Sequence, residues 1–506
     1  MNQEIDDGIA TNGNSSSNLF GRRDIYTLAE RITAENVLEE VNNAMLEHAE
    51  NVREEDYLYW YRRGKQPIQQ RTKEIRPEIC ANIVCNVADE ITSFKNGYFL
   101  NAPAFYVARS DDKSDAVRTL NDYLCRSGKH HADNKIVNNF HTMGKGVLYV
   151  SANEADNDGE PIKAFSLDPR QAFVVYSYNA GNRPVFAVNT VADKRFVYAD
   201  VVTRDKKFRL RGMNPESENT HSSHDSRESV GYIFNEILFE EPNYLEHINI
   251  IEYRYKSTNM GAFENVIDLC NALNLALSDR QDSNEQTIQD LLVITNGRFL
   301  EEDISANKIR QRGMLLLESY GDNKTDIKTV GQQLNQTETQ VYVDCLKREI
   351  YSIAEMPVTS DATGKSTSDS GTAVLARSGW YHADTSARNT EDLFLESNRQ
   401  FDEILIFVLK KKGLIPDIDV HDFDLRLVKN ETIQIQSKAQ AFNSLMTGGL
   451  HPELALEKSG VSNDPVGDYE KSKEWFDRRW VKDEASEGDN PDVNDTSKGY
   501  VQGYWR

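Results

Sequence analysis

Gly364-Lys365-Ser366 is the place in the chain where a phosphate-binding reading must be tested first. A nucleotide loop of that kind needs a glycine or alanine five residues earlier. It also needs a buried strand before it and a helix straight after it, so that backbone N–H groups and the lysine surround the phosphates. Thr359 stands at the glycine position, and a helix-patterned segment ending at Pro357 comes before it, so nucleotide binding is not expected. Glu154-Ala155-Asp156-Asn157-Asp158-Gly159 has the opening of a calcium loop, but Phe165 replaces the bidentate glutamate of the twelfth position, which leaves a hairpin turn. His221 and His224 have no third ligand placed near them, and His130-His131 are adjacent. Neither pair specifies a metal site. No Gly-x-Ser-x-Gly, His-Glu-x-x-His or Cys-x-x-Cys spacing occurs. The carboxylates are scattered, and spacing alone identifies no acid/base pair. No catalytic residue, cofactor or metal is expected.

The rest of the composition agrees with a protein that works by shape. A chain of 506 residues holds several domains and a sizeable core. No run of about 18 apolar residues is present, so no membrane-spanning helix is expected. Met1–Asn18 is polar, carries Glu4, Asp6 and Asp7, and lacks the basic and apolar regions of a signal peptide, which points to a cytoplasm. Cys80, Cys85, Cys125, Cys270 and Cys345 read as reduced thiols used as small core residues, Cys270 and Cys345 within helical apolar stripes. The net charge is −23, so the chain cannot present a globally basic face to nucleic acid. Such acidity gives solubility, and it also lets a polyanion pass nearby without sticking.

The elements that must carry any site follow from periodicity. Asp24–Tyr61 reads as a helix through Ile25, Leu28, Ile32, Val37, Val41 and Leu46. Pro77–Ser93 reads as another, with Pro77 in its first turn and a turn at Asn96–Pro103 after it. From Val147 to Tyr255, β-branched and aromatic runs separated by Gly, Asn and Asp turns predict an antiparallel sheet. Asn214–Ser229 reads as a polar loop. A helix then uses Phe263, Val266, Ile267, Cys270, Leu273 and Leu277, with Glu264, Asp268, Asp279 and Asp282 on its opposite side. A strand-like insert holds Leu291–Ile294 and Met314–Leu317. A second helix, Gln332–Met356, uses Leu334, Val341, Tyr342, Cys345, Leu346, Ile350 and Ile353, and Pro357 stops it. The loop Pro357–Ser370 has no apolar side chain to dock it beyond its first residues. Gly371–Lys412 is free of proline and predicts a helix of about 60 Å, with a kink expected at Gly379 and a cap at Gly413. Leu425–Val428 is strand-like, Thr432–Trp480 reads as short helices, and the acidic tail from Lys482 reads as disordered.

This order of elements, together with several short motifs, resembles the portal proteins of tailed bacteriophages, in particular the Gp6-like family typified by phage SPP1. Gly97-Tyr98-Phe99-Leu100-Asn101-Ala102-Pro103 is similar to that family's Gly-Tyr-aromatic turn. Leu167-Asp168-Pro169-Arg170, Pro184–Val188 and Ile248–Tyr253 are similar to its strands, with Asn249 where the family often has proline. Ser370-Gly371-Thr372-Ala373 is similar to the start of its long helix. The resemblance covers roughly Tyr57 to Leu427.

What the resemblance implies is an α+β, mainly helical portal fold with a β-rich wing. Its parts would be an N-terminal arm (1–23), wing (24–260), first stem helix (261–288), clip (289–331) and second stem helix (332–356). A tunnel loop (357–370), long kinked helix (371–412), return strand (413–430), helical crown (431–480) and acidic tail (481–506) would follow. Thr359, Asp361, Thr363, Gly364, Lys365, Ser366, Thr367, Ser368 and Asp369 would line a DNA channel, with Lys365 as the loop's cation. Asn296, Arg298, Glu301, Glu302, Lys308, Arg310 and Arg312 would meet the packaging motor. The implied partners are further copies of the chain in a ring, usually a dodecamer in the virion, and double-stranded DNA. Terminase, a head-completion protein, and scaffolding and major capsid proteins complete the set. A packaging ATPase or nuclease, and a cytoplasmic helical adaptor, are the rival readings.

Overall fold

The structure is a computed structural model. It describes residues 21–74, 76–152, 160–179, 181–214, 232–288, 291–295, 297–299, 317–319, 326–330, 336–357, 379–428, 435–462 and 467–473. Polar loop 215–231, with His221 and His224, and the turn 153–159 lie outside them. By internal contacts the chain divides into two units, one up to Leu427 and one from Val428 onward.

In chain order the first unit begins with β1 (Ile25–Thr27), α1 (Val37–Arg62), α2 (Val87–Phe99), β2 (Ala102–Ala108), α3 (Ser114–Arg126) and α4 (Lys129–Met143). Strands follow: β3 (Lys145–Ser151), β4 (Lys163–Leu167), β5 (Ala172–Ser177), β6 (Pro184–Ala192), β7 (Phe196–Thr203), β8 (Lys206–Met213), β9 (Phe234–Pro242) and β10 (Ile250–Arg254). Then come α5 (Ile267–Ile288), β11 (Leu291–Thr295), β12 (Gly297–Phe299), β13 (Leu317–Ser319), β14 (Asp326–Val330), α6 (Gln336–Ile353), α7 (Trp380–Lys411) and β15 (Phe423–Val428). The second unit holds α8 (Ile435–Thr447) and α9 (Pro452–Ser459), joined through Gly449 in the left-handed region. This is an α+β protein, as expected.

The main sheet has the order β1-β5-β6-β7-β8-β9. It is antiparallel except at its edge, where Ile25–Thr27 runs parallel to Val175–Ser177. That edge strand corrects the helix expected from Asp24. Asp24 accepts hydrogen bonds from Lys145, Arg254 and Asn259, which fixes the chain in an extended course just before β1. Leu28 is 86% exposed, and α1 starts only at Val37. Met45, not Leu46, enters the core, because Val37, Val41, Ala44 and Met45 pack on Phe173, Val175, Phe186, Val201 and Phe208 of the sheet. Farther along α1, Leu58 and Tyr61 belong to a second and larger core with α2, α4, α5 and α7, so one helix ties the two cores together.

Segment 77–86 is not helical, and α5 supplies the reason. Asn274, Ser278 and Asp282 recur every fourth residue along one face of that helix. Their side chains accept from the backbone N–H of Cys85 at 2.7 Å, Ile83 at 3.0 Å and Ala81 at 2.6 Å. Alternate N–H groups of an extended strip are thus satisfied by a helix rather than by a sheet. The helix starts at Val87 instead of Pro77, and runs through Gly97 to Phe99 where a turn was expected. The amphipathic helix α3 and the helix α4 fill a stretch, 114–143, for which no element was predicted.

Two acids expected on the solvent side of the helix read from Phe263 are buried, Glu264 just before α5 and Asp282 within it. The side chains of Glu264 and Arg22 are fully inaccessible and meet at 2.6 Å. Asp282 holds Lys73 and lies 3.4 Å from Arg71. Cys270 is buried as expected, but Cys125 and Cys345 are exposed. No helix among the described residues is long and apolar enough to cross a membrane.

Candidate functional site at the paired helices

The polar-loop residues from Thr359 to Asp369 lie outside the described residues, as do Asn296, Glu301, Glu302, Lys308, Arg310 and Arg312. Arg298 belongs to β12, with Glu318 of β13 as its register partner. What is described is the frame that carries these segments. Helices α5 and α6 form an antiparallel pair, because Arg280 near the end of α5 donates to Gln340 near the start of α6 at 2.7 Å. Strands β11 and β14 pair between them, from Leu291↔Val330 to Thr295↔Asp326.

The helix pair is held to the body by its inner side. Cys270 and Leu273 of α5 share a core with Val343, Leu346 and Ile350 of α6. Tyr61 Oη donates to Asn271 at 2.9 Å, and Tyr351 Oη donates to both Glu90 oxygens at 3.0 Å. The outer side differs from expectation. Val341, Tyr342, Cys345 and Ile353 were placed with Leu346 and Ile350 on one buried face. In the structure Val341 is 64%, Tyr342 53% and Ile353 45% exposed, while Val343 and Ala354 take the inner positions. Leu275 on α5 is exposed as well. The pair therefore carries apolar side chains that its own chain does not cover.

At the end of α6, Glu355 adopts a left-handed conformation (φ 57°), and Met356 N–H closes back on Tyr351 O at 2.8 Å. A non-glycine residue in that region is strained, and here three partners hold it. Ser386 Oγ of α7 donates to Glu355 Oε2 at 2.5 Å, Lys256 Nζ reaches both oxygens at 3.1–3.2 Å, and Lys95 Nζ of α2 lies at 3.6 Å. Burial pushes the Glu355 carboxyl upward, but the Ser386 hydroxyl, Lys256 and Lys95 outweigh it and hold it below its usual value. Burial lowers Lys95 to about 8, against the pull of Glu355. His141, facing the same small cavity, is held well below its usual value by burial and then by the charges of Lys95, Arg62 and Lys256. It is therefore a neutral imidazole, with Nδ1 2.7 Å from Asn96 Oδ1.

Helix α7 runs from Trp380, and its N-cap Gly379 is left-handed (φ 81°), a conformation that glycine adopts without strain. Gly379 is where the described helix starts; the helix expected from Gly371 and its kink fall on residues 371–378, which lie outside the described residues. A Cβ on Gly379 would sit 3.2 Å from Met356 O. Pro357 and Gly379, the described residues that flank segment 358–378, therefore lie together. Sequence reasoning found Pro357 and Gly379 but missed Glu355, Lys95, Lys256 and Ser386, since nothing in their spacing signals a contact across such separations.

Among the described residues no group of three His, Cys, Asp or Glu could hold a metal ion. A family model described as phage portal protein, SPP1 Gp6-like, matches residues 43–479. No curated protein matches the chain.

Proposed function

The chain belongs to the SPP1 Gp6-like family of phage portal proteins, and from that premise we propose that it forms a ring-shaped, non-enzymatic channel at one capsid vertex. The ring conducts double-stranded DNA during packaging and ejection. It docks the terminase motor and later the head-completion and tail connector proteins, and it nucleates procapsid assembly with scaffolding and major capsid proteins in the host cytoplasm. In this reading α5 and α6 are the stem, 289–331 the clip, 357–370 the tunnel loop, α7 the long wing helix and 431–480 the crown. A dodecamer is the form proposed for the virion.

The observation that carries the reading is the α5–α6 pair with uncovered apolar side chains at Val341, Tyr342 and Ile353. A closed ring needs heterologous contacts, one face of a copy against a different face of the next, and such side chains supply one half of that contact. The net charge of −23 supports a channel whose wall repels phosphate. Lys365, repeated around the ring, would add a weak collar of cations, with Asp361 and Asp369 limiting the attraction.

Images of the purified protein viewed along its axis test this reading. Rings with a central hole are expected, and single particles at every concentration would refute it. Tyr342→Asp should abolish rings while circular dichroism stays unchanged. Lys365→Glu should reduce DNA packaging while rings still assemble, and normal packaging would exclude a required collar.

A further inference from the structure

We propose that a trough along the exposed side of α4 receives the chain's own N-terminal arm, Met1–Phe20, as an extended acidic segment. Two depressions, of about 460 and about 300 Å³, adjoin on this side and share Asn138 and Asn139 in their walls. The larger is bounded by Tyr59, Arg62, Arg63 and Asn86, with Met143 at its α4 end. The smaller is bounded by His131, Asn134 and Lys135. The amides of Asn86 and Asn134 are engaged within the chain, but among the described residues Asn138 Nδ2 and Asn139 Oδ1 have no partner, which leaves one donor and one acceptor for the backbone of an extended peptide.

The charges select an acidic one. The trough's two carboxylates are already neutralised, Asp89 by Arg62 at 3.0 Å and Asp168 by Arg170 at 2.6 Å. Arg63 and Lys65 are held over the ring of Trp60, at 5.7 and 4.0 Å from its centroid. Among the described residues no carboxylate pairs with Arg63, Lys65 or Lys135, in a chain where most neighbouring cations are paired. Arg63 in the larger depression and Lys135 in the smaller are thus the trough's uncompensated cations, one toward each end, on an acidic protein.

The arm is the segment that fits. Residues 1–20 carry Glu4, Asp6 and Asp7 and no lysine or arginine. The arm joins the body at the trough's edge: Arg22 Nη1 donates to the carbonyl of Met143 at 3.2 Å, and Gly21 N–H donates to Glu264. From Met143 to Asn134 is roughly 14 Å along α4. Asp6 and Asp7 lie within about 50 Å of extended chain from Gly21, so they reach Lys135 with slack.

The test treats the full-length assembled protein with a carbodiimide, which joins carboxylates to lysines in direct contact, and maps the products by mass spectrometry. Asp6 or Asp7 should be joined to Lys135 within one chain. The yield should fall about tenfold in Arg63→Glu/His131→Glu, which keeps Lys135 but reverses the field around it. As an independent readout, acetylation of Lys135 should quicken by a similar factor in Asp6→Asn/Asp7→Asn, a variant that cannot disturb the body. Three results would overturn the proposal: Lys135 joined to residues 481–506 instead, products joining light- and heavy-isotope copies, or a yield and reactivity that neither variant changes.

Discussion

Glu264→Gln is the substitution that most sharply tests the packing described above. Glu264 Oε1 accepts from Arg22 Nη2 at 2.6 Å and from Gly21 N–H at 3.2 Å, and Oε2 accepts from Gly261 N–H at 2.7 Å. Both oxygens are in use, so glutamine can keep only one side of the arrangement and must turn an N–H group toward another donor. Breaking a fully buried ion pair by removing one partner costs about 3–5 kcal/mol. Glu54 remains 3.1 Å from Arg22 and compensates part of the charge, which favours the lower end. The orphaned backbone donor adds roughly 1–3 kcal/mol. A loss of about 4–6 kcal/mol is therefore expected for Glu264→Gln, nearly that of Glu264→Ala. The double variant Arg22→Met/Glu264→Leu removes both charges, but it leaves the N–H groups of Gly21 and Gly261 unpaired. It should recover only part of the loss. Urea unfolding followed by tryptophan fluorescence measures all three. A Glu264→Gln protein within about 1 kcal/mol of the parent would refute the reasoning, because both oxygens could not then be accepting in the folded state.

Asp282→Ala should cost roughly 1–3 kcal/mol and hasten tryptic cleavage at Lys73 and Arg76, since the Ala81 N–H and the Lys73 ammonium lose their common acceptor. Unchanged cleavage would count against the helix-side ladder. Burial raises the Asp402 pKa from 3.8 to about 7, so its contribution is complete below pH 3.8 and is lost as pH climbs through 7. Asp402→Asn carries no such dependence. The variant should therefore gain on the parent between pH 4 and 8, by roughly 4 kcal/mol at most, and a flat difference in unfolding free energy would exclude the shift. Gly379→Ala should lose about 1–2 kcal/mol, because its φ of 81° and the Met356 carbonyl both resist a Cβ. An unchanged melting temperature would show that α7 does not start as described.

Periodicity read the strands of the main sheet well, because Phe173, Val175, Phe186 and Val188 alternate and are buried on one face. It failed where a segment's partner is remote. Ile79 and Ile83 keep helical spacing, yet the side chains of Asn274, Ser278 and Asp282, about 190 residues away in sequence, draw that strip out straight. The polar residues of α5 carried the missing signal, as an Asn-x-x-x-Ser-x-x-x-Asp repeat that reads as solvent face until its partner is known. The same holds for Asn249, where the family's usual proline is absent. Its side chain donates to Val150 O at 2.7 Å, and its carbonyl accepts from Val150 N–H at 2.8 Å, a pairing proline could share only in part. Helix α6 was legible as a helix but not as one with two apolar sides, since a single chain's sequence does not say which stripe it covers itself. The loop residues from Thr359 to Asp369 were singled out by composition and stand as a proposal.

The meeting of Gly379 with Met356 and Pro357 fixes a length. Pro357 and Gly379 lie together, so none of the 21 residues between them can be farther from that spot than half the contour of the segment. Half of that contour, at ~3.4 Å per residue, is about 35 Å. That distance is a tether limit measured from the base of α7, set by covalent geometry and independent of how the segment folds. Lys365 has a tighter limit, because 8 residues separate it from Pro357: its Cα stays within about 27 Å of that spot, and in a ring any DNA it touches lies within that distance plus the reach of its side chain. Removing residues between Pro357 and Lys365 would narrow that radius by about 3.4 Å per residue removed, which makes loop length a ruler for the channel.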